Sequence, residues 1–297
     1  MYKELAIIAP TASGKTALSI QLAHKLDAVI LSLDSLAVYK KIDIASAKPT
    51  VAERDGIVHF GIDCVYPDEV FDVIEFFDEY EKAKDYAIQN GKNLIIVGGT
   101  GFYLKALIDG LSATPKISDE TKQIVKKEMN NLTSLYEKLY LLDHSYMQKI
   151  ASTDRYRIEK AAQIYFETEE LPSECFFKNK AVGKVENLPI YEIQTDPEIL
   201  RQRIQLRTNL MIENGLIDEV IALEKEYTRA PNCMNSIGIS EVFDYLDSKI
   251  TKKELEELIS RHTAQLAKRQ RTFNKSQFDN VQKVPLEMME ELILSQH

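Results

Sequence analysis

Residues 5–16, Leu-Ala-Ile-Ile-Ala-Pro-Thr-Ala-Ser-Gly-Lys-Thr, constrain the fold more than any other stretch of the chain. An apolar run over 5–8 stops at Ala9. A loop of small residues follows (Pro10, Thr11, Ala12, Ser13, Gly14), then Lys15, Thr16 and a segment with Leu18, Leu22 and Leu26 at helical spacing. Strand, small-residue loop and helix make the layout of a phosphate-cradling P-loop. Small residues let backbone N–H groups turn inward around phosphate oxygens, and the helix N-terminus adds the positive end of its dipole. Lys15 can place a charge on the terminal phosphate, and the Thr16 hydroxyl can hold Mg²⁺. Ala9 departs from the strict pattern, which has glycine there. Alanine keeps the site small but excludes a strained backbone at that point.

Further short β-rich apolar runs stand at 29–33 and 94–97, separated by helical stretches, which predicts parallel strands joined by crossovers. Residues 188–193 read as a returning strand. Phe76, Tyr80, Ala83 and Ala87 form one apolar stripe on an acidic helix, with Asn90-Gly91 as its stop. Another helix is expected after Gly99, through Tyr103, Leu104 and Leu107 to Gly110. From 113 to 187 the chain is helical, charged and strand-poor, and Ser118-Asp119-Glu120 opens one helix with capping and dipole-favourable groups. Helices are expected over 199–227, interrupted at Asn214-Gly215, and over 240–246 and 252–274. The expected architecture is an α/β fold, a P-loop NTPase-like parallel sheet core flanked by helices. Residues 1–112 would form its first part, 113–187 an all-helical insertion, and 188–297 its completion.

A net charge of −9 by itself argues against a nucleic-acid partner, and residues 68–85 alone hold eight acids. Residues 261–275, in contrast, contain five Lys/Arg and no Asp or Glu, a local face able to hold a polyanion. Cys64, Cys175 and Cys233 are odd in number and show neither metal nor disulfide spacing, so a reducing, cytoplasmic setting is expected. No apolar run approaches the ~20 residues of a membrane span, and no secretory pattern precedes the first strand.

The second strand ends in Asp34-Ser35, and ligands of parallel sheets lie at the carboxyl ends of strands. Asp34 is therefore the one carboxylate placed as a general base, with support of Mg²⁺ as its simpler role. The third strand ends in Val97-Gly98-Gly99-Thr100-Gly101, whose glycines are expected to permit close approach to a ligand and whose Thr100 hydroxyl can contact phosphate. Nucleotide hydrolases usually put a metal-holding Asp at such a strand end, and glycines there weaken that reading. A P-loop small-molecule or nucleoside kinase stays open at this point. So do a transferase acting on free adenine nucleotides, which would lack the long helical insertion, and a nucleotide-switched binding module. His59 near a strand is more simply structural.

Asp34-Ser35-Leu36-Ala37-Val38-Tyr39, followed by Asp43-Ile44-Ala45-Ser46-Ala47-Lys48-Pro49, resembles the tRNA dimethylallyltransferase (tRNA isopentenyltransferase) family. The resemblance extends through the Gly98-to-Gly101 turn to Asp154, Arg157, Arg203, Arg207, Gly215, Asp218-Glu219-Val220, Ile237-Gly238, Glu241 and the Gln-Leu-Ala-Lys-Arg-Gln run ending at Gln270. It implies transfer of a dimethylallyl group from dimethylallyl diphosphate to N6 of the adenosine just 3′ of the anticodon, by a monomer with Mg²⁺ as cofactor. It implies that Ala9, Pro10, Thr11, Ala12, Ser13, Gly14, Lys15 and Thr16 bind the diphosphate, with Thr16 on the metal. Lys15, Asp34 and Thr100 would be catalytic. The tRNA anticodon stem-loop would meet Asp34, Ser35, Leu36, Ala37, Thr100, Lys122, Tyr156, Arg157, Lys160, Lys268 and Arg271. The departures lie on the RNA-facing side. Lys122, Tyr156 and Lys160 stand where arginines are frequent, Ile239-Ser240 replaces Tyr-Lys, Ala264 replaces an arginine, and Phe60 a histidine. Such losses imply weaker tRNA binding or compensating contacts elsewhere.

Overall fold

The structure, a computed structural model, describes residues 2–179 and 182–297. They form two compact units, one built from residues up to Ala106 and from Val185 onward, the other from Leu107–Lys184. The chain opens with β1 (Glu4–Ile8), α1 (Lys15–Lys25), β2 (Ala28–Leu33), β3 (His59–Phe60), α2 (Val73–Gln89), β4 (Asn93–Gly98) and α3 (Gly101–Asp109). The second unit follows as α4 (Asp119–Glu128), α5 (Leu132–Leu142), α6 (His144–Met147), α7 (Arg155–Thr168) and α8 (Pro172–Lys178). The first unit is completed by β5 (Ile190–Gln194), α9 (Pro197–Glu213), α10 (Leu216–Tyr227), α11 (Ile239–Leu246), α12 (Lys252–Gln277), β6 (Val281–Pro285) and α13 (Leu286–Gln296).

The strands pair in the order β3-β2-β4-β1-β5-β6, every pair parallel. Helices cover such a sheet on both faces, so its central strands are continuous apolar runs rather than alternating ones. Ala6, Ile7 and Ile8 of β1 and Leu94, Ile95 and Ile96 of β4 are accordingly buried. Register fixes the site: Gly98 pairs with both Ile8 and Leu33, so Ala9, Asp34 and Gly99 leave the sheet side by side. One core cluster joins Leu18, Leu22 and Ala23 of α1 to β1, Tyr191 of β5, and Met289 and Ile293 of α13. A second lies beneath the chain after β2, where Val38, Ile42 and Ala45 meet Leu216 and Val220 of α10, Val242 of α11 and Ile259 of α12.

Phe76, Tyr80, Ala83 and Ala87 are all fully buried on α2, which begins with a capping box between Asp72 and Glu75. Ser118 caps α4 as its hydroxyl accepts the Thr121 N–H. The helical unit packs Val125, Leu135, Leu139, Met147, Ile158 and Ala161 into its own core. There buried Asp143 accepts N–H bonds from Tyr146 (3.2 Å) and Ser173 (2.7 Å). Burial alone would raise its carboxyl; these bonds hold it below the ordinary range.

Strands β3 and β6 and helix α13 add to the elements that the sequence pattern predicts. Both strands are sheet edges; β6 (Val-Gln-Lys-Val-Pro) is largely exposed, so it carries no continuous apolar signal. The composition change at 112/113 lies beyond the division between the units at 106/107, which falls inside α3.

Candidate active site

The loop between β1 and α1 turns through two left-handed residues, Ala12 (φ 62°) and Gly14 (φ 90°). Gly14, at the N-cap of α1, suits that conformation because it has no Cβ. Ala9 is not among the left-handed residues and its N–H donates to Gly98 O at 3.2 Å, so nothing at that position requires the glycine of the strict pattern. The helix leaves its first N–H groups without intrahelical acceptors. Among the described residues no acceptor is found for the N–H groups of Ala12, Ser13 and Gly14 either. The result is a row of free donors at a positive helix end.

Thr11, Lys15 and Thr16 of this loop line a narrow cavity of about 70 Å³ with Asp34, Ala37, Ser46, Lys48, His59, Gly98 and Arg207. Asp34 Oδ1 accepts the N–H groups of Leu36 (2.9 Å) and Ala37 (3.2 Å), which fixes the turn after β2 and the carboxylate with it. Among the described residues Oδ2 takes no hydrogen bond. Lys15 Nζ lies 3.4 Å from Pro10 O. Burial pushes its ammonium down to about 8, Asp34 opposes that, and Arg207 adds like-charge repulsion. Arg207 is likewise lowered by burial and supported by Asp34. Two cations facing one carboxylate leave the cavity short of negative charge.

Arg207 was not in the sequence-derived set of site residues. Its signal was the i, i+4 spacing with Arg203 on α9, which sends both side chains to one face. Arg207 Nη1 donates to Thr11 Oγ1 at 3.2 Å, and Arg203 Nη1 reaches Ser13 O at 3.4 Å. His59 lines the cavity; its Nδ1 is 2.9 Å from Ile57 O, and burial lowers its pKa.

The wall opposite the loop is the 43–49 segment, held from below by Glu219 of α10. Its carboxylate accepts three successive N–H groups, from Asp43 (2.9 Å), Ile44 (2.7 Å) and Ala45 (2.9 Å). Lys48, whose side chain is 4% exposed, donates hydrogen bonds to Tyr39 O and Asp63 and is ion-paired with Asp43 at 2.7 Å. With its ammonium committed to these partners, this motif lysine braces the segment. The glycines at the end of β4 and just after it serve the protein's own packing more than a ligand. A Cβ on Gly98 would collide with the Leu33 backbone, one on Gly99 with Gln270, and one on Gly101 with Asn274 and Phe273. Thr100 follows at the strand end, its N–H on Leu33 O (3.0 Å); it is not among the residues lining the cavity, nor are Ser35 and Leu36.

The other predicted RNA-facing residues, outside the strand ends at 34–37 and 100, fall into two groups, each within one unit. On α7, Tyr156 is 69% exposed with Lys160 over its ring, and Arg157 lies 3.6 Å from Asp154. On α4, which packs against α7, Lys122 pairs with Asp119 at 2.8 Å. In the first unit, Lys268 and Arg271 line a groove of about 530 Å³ between α9 and α12, together with Arg201 and Arg261 over an apolar floor of Leu200, Ile204 and Ala267. Arg271 also faces the neighbouring hollow that holds Arg203, Lys275 and Lys283. The segment at Ile237–Ser240 is fixed by buried Glu241, which accepts from Gly238 N (2.7 Å) and meets His262 Nδ1 at 2.6 Å.

A parallel sheet whose first strand–helix turn offers free N–H groups beside two cations and a carboxylate defines an α/β protein with a P-loop-type fold. The IPP transferase family matches residues 37–277. The tRNA dimethylallyltransferase of Aliarcobacter butzleri is 58% identical over 94% of this chain and 93% of its own length. That of Sulfurovum sp. is 55% identical over 98% and 97%. Among solved structures, a tRNA isopentenylpyrophosphate transferase from Bacillus halodurans is 29% identical with a TM-score of 0.73, covering 100% of this chain and 95% of its own. A eukaryotic dimethylallyltransferase acting on tRNA is 26% identical with a TM-score of 0.80, covering 99% of this chain and 77% of its own. This chain belongs to the IPP transferase family.

Proposed function

We propose that this chain transfers the dimethylallyl group of dimethylallyl diphosphate to N6 of the adenosine 3′-adjacent to the anticodon of tRNA and releases diphosphate. What supports the reading is one juxtaposition: Lys15, Thr16 and Arg207 share a cavity with Asp34, and the free N–H groups of residues 12–14 belong to the same loop. As the allylic C–O bond breaks, its electron pair leaves with the diphosphate oxygen. Donors already aimed at that position lower the barrier without reorganising. Lys15, Arg207 and the N–H groups of residues 12–16 serve this leaving group. N6 forms the new C–N bond, and its proton passes to Asp34 Oδ2, while Oδ1 stays committed to Leu36 and Ala37.

Mg²⁺ fits the donor set. Among the described residues no cluster of three His, Cys, Asp or Glu could hold a metal, and Mg²⁺ keeps most of its water and takes few protein oxygens beside substrate phosphates. The exposed Thr16 hydroxyl would hold it, with Asp34 nearby, and the ion would supply charge neutralisation to the diphosphate. Thr100, at the end of β4, would orient the incoming amine. To reach Asp34 the adenosine must leave its stack, so the base is flipped, with Ser35, Leu36 and Ala37 along its path. Lys122, Tyr156, Arg157, Lys160, Lys268 and Arg271 would hold the anticodon stem-loop, mainly through phosphates. We place the protein in the cytoplasm, where its RNA substrate is; among the described residues no helix is long and apolar enough to cross a membrane.

The test is incubation with labelled dimethylallyl diphosphate and unmodified tRNA, against ATP with a panel of hydroxylated small acceptors. Label at one anticodon-loop adenosine, dependent on Mg²⁺, is expected; phosphorylation of an alcohol with no prenyl transfer would replace this reading by a kinase.

A further inference from the structure

We infer that Gln270 is a positioning residue for the diphosphate loop, tying its first turn to the helix that carries the RNA-facing cations. The inference rests on the prenyl-transfer reading and assigns a part in it to α12. Gln270 Oε1 accepts the N–H of Thr11 at 3.1 Å, a contact between residues 259 apart in sequence. The amide nitrogen of the same side chain packs on Gly99, where no Cβ could fit. One turn further along α12, Asn274 and Phe273 pack on Gly101, where a Cβ would stand 2.7 Å from Asn274 Oδ1 and 2.8 Å from Phe273 Cδ1. The inner face of α12 is thus seated on both loops that leave the sheet beside Asp34.

Of those three side chains only Gln270 makes a polar tie. Asn274 is buried, and neither atom of its amide has a hydrogen-bond partner among the described residues. The Gln270 bond turns the Thr11 N–H toward α12, while Arg207 holds the Thr11 hydroxyl. With Thr11 fixed at both ends, the following N–H groups, 12–16, are the ones left to face phosphate oxygens. Removing the acceptor leaves a part-buried donor unpaired, and the loop relieves that cost by turning away from the arrangement that binds diphosphate. Lys268 and Arg271 flank Gln270 in sequence but line the groove toward α9, so the two faces of the helix have separable tasks.

The experiment uses the full chain with Gln270→Leu, of similar size but unable to accept, and Lys268→Ala as the contrasting variant. Inorganic pyrophosphate with Mg²⁺ is titrated calorimetrically, and KM is measured separately for dimethylallyl diphosphate and tRNA. Gln270→Leu is expected to weaken pyrophosphate binding and raise KM for dimethylallyl diphosphate by about tenfold, with KM for tRNA within about twofold. Lys268→Ala is expected to move only the tRNA value. Should Gln270→Leu fail to fold, Gln270→Asn, shorter by one methylene, is expected to show the same split in smaller measure. A raised KM for tRNA with unchanged pyrophosphate binding would make Gln270 an RNA contact and overturn the inference, as would no change in either. Absence of prenyl transfer by the unaltered protein would defeat the functional reading alone, since the pyrophosphate titration still reports on Gln270.

Discussion

The two ends of the proposed reaction are built differently. Around the diphosphate loop the side chains are half-buried or buried and joined over long sequence distances: Gln270 to Thr11, Arg207 to Thr11, Glu219 to residues 43–45. On the faces proposed for RNA they are exposed and bonded to near neighbours, as with Lys122 to Asp119 and Arg157 to Asp154. A preorganised pocket concentrates its effect in a few residues, because each acts in a water-poor space where charge is poorly screened. A polyelectrolyte surface sums many small, screened contributions. Substitutions on the two sides should therefore differ in size and in kind.

The largest contrast is expected at Asp34. Asp34→Asn keeps an acceptor for the Leu36 and Ala37 N–H groups but cannot take a proton, so the single-turnover rate should fall by about 10²-fold or more while pyrophosphate binding stays near normal. A rate within threefold of the unaltered protein would remove Asp34 as the base. Arg207→Ala comes next. Pyrophosphate affinity and kcat/KM for dimethylallyl diphosphate should both drop by roughly 10- to 100-fold, with the tRNA dissociation constant unmoved.

Glu219 tests the pocket's wall. Glu219→Ala unpairs three N–H groups and should cost about 2 kcal/mol in chemical denaturation, together with a raised KM for dimethylallyl diphosphate. Glu219→Ala with an unchanged denaturation midpoint would mean that the 43–49 segment holds itself.

A pH titration separates the regions by mechanism. The Lys15 ammonium of the free protein loses its proton near 8 rather than near its ordinary 10.5. Bound diphosphate needs it charged, so affinity should fall as pH rises through about 8, by up to about tenfold per unit, until the ordinary range is reached. Lys15→Arg should flatten that dependence, and tRNA binding should show none of it. The smallest effect is expected on the RNA side. Lys268→Ala or Arg271→Ala should shift tRNA affinity a few-fold and lower the slope of log K against log salt by about 0.7 to 0.9 each.

Legibility followed the same division. The strand–loop–helix at 5–16 and the strand end at Asp34 are local patterns, and both emerged where the sequence placed them, as did the α2 stripe. Arg207 and Gln270 act on the loop from about two hundred residues or more away, and only tertiary pairing shows what their donors and acceptors meet. The glycines at 98–101 illustrate the limit. Their smallness was evident, but what approaches them is the Leu33 backbone and α12 rather than a ligand alone. Edge strands β3 and β6 escaped because an edge is only partly buried and needs no apolar run. The exposed cations of α7 and α12 were found as a composition and a resemblance, since nothing in local spacing tells a solvated helix face from an RNA face.

The most direct measurement is the crystal structure of this chain with an unreactive dimethylallyl thiolodiphosphate, Mg²⁺ and an anticodon stem-loop. The diphosphate is expected on the N–H groups of residues 12–16, with Lys15 and Arg207 in contact and the adenosine N6 about 3 Å from Asp34 Oδ2. A diphosphate bound away from that loop, or a flipped base with Asp34 turned from it, would contradict the assignment of cradle and base to one cavity.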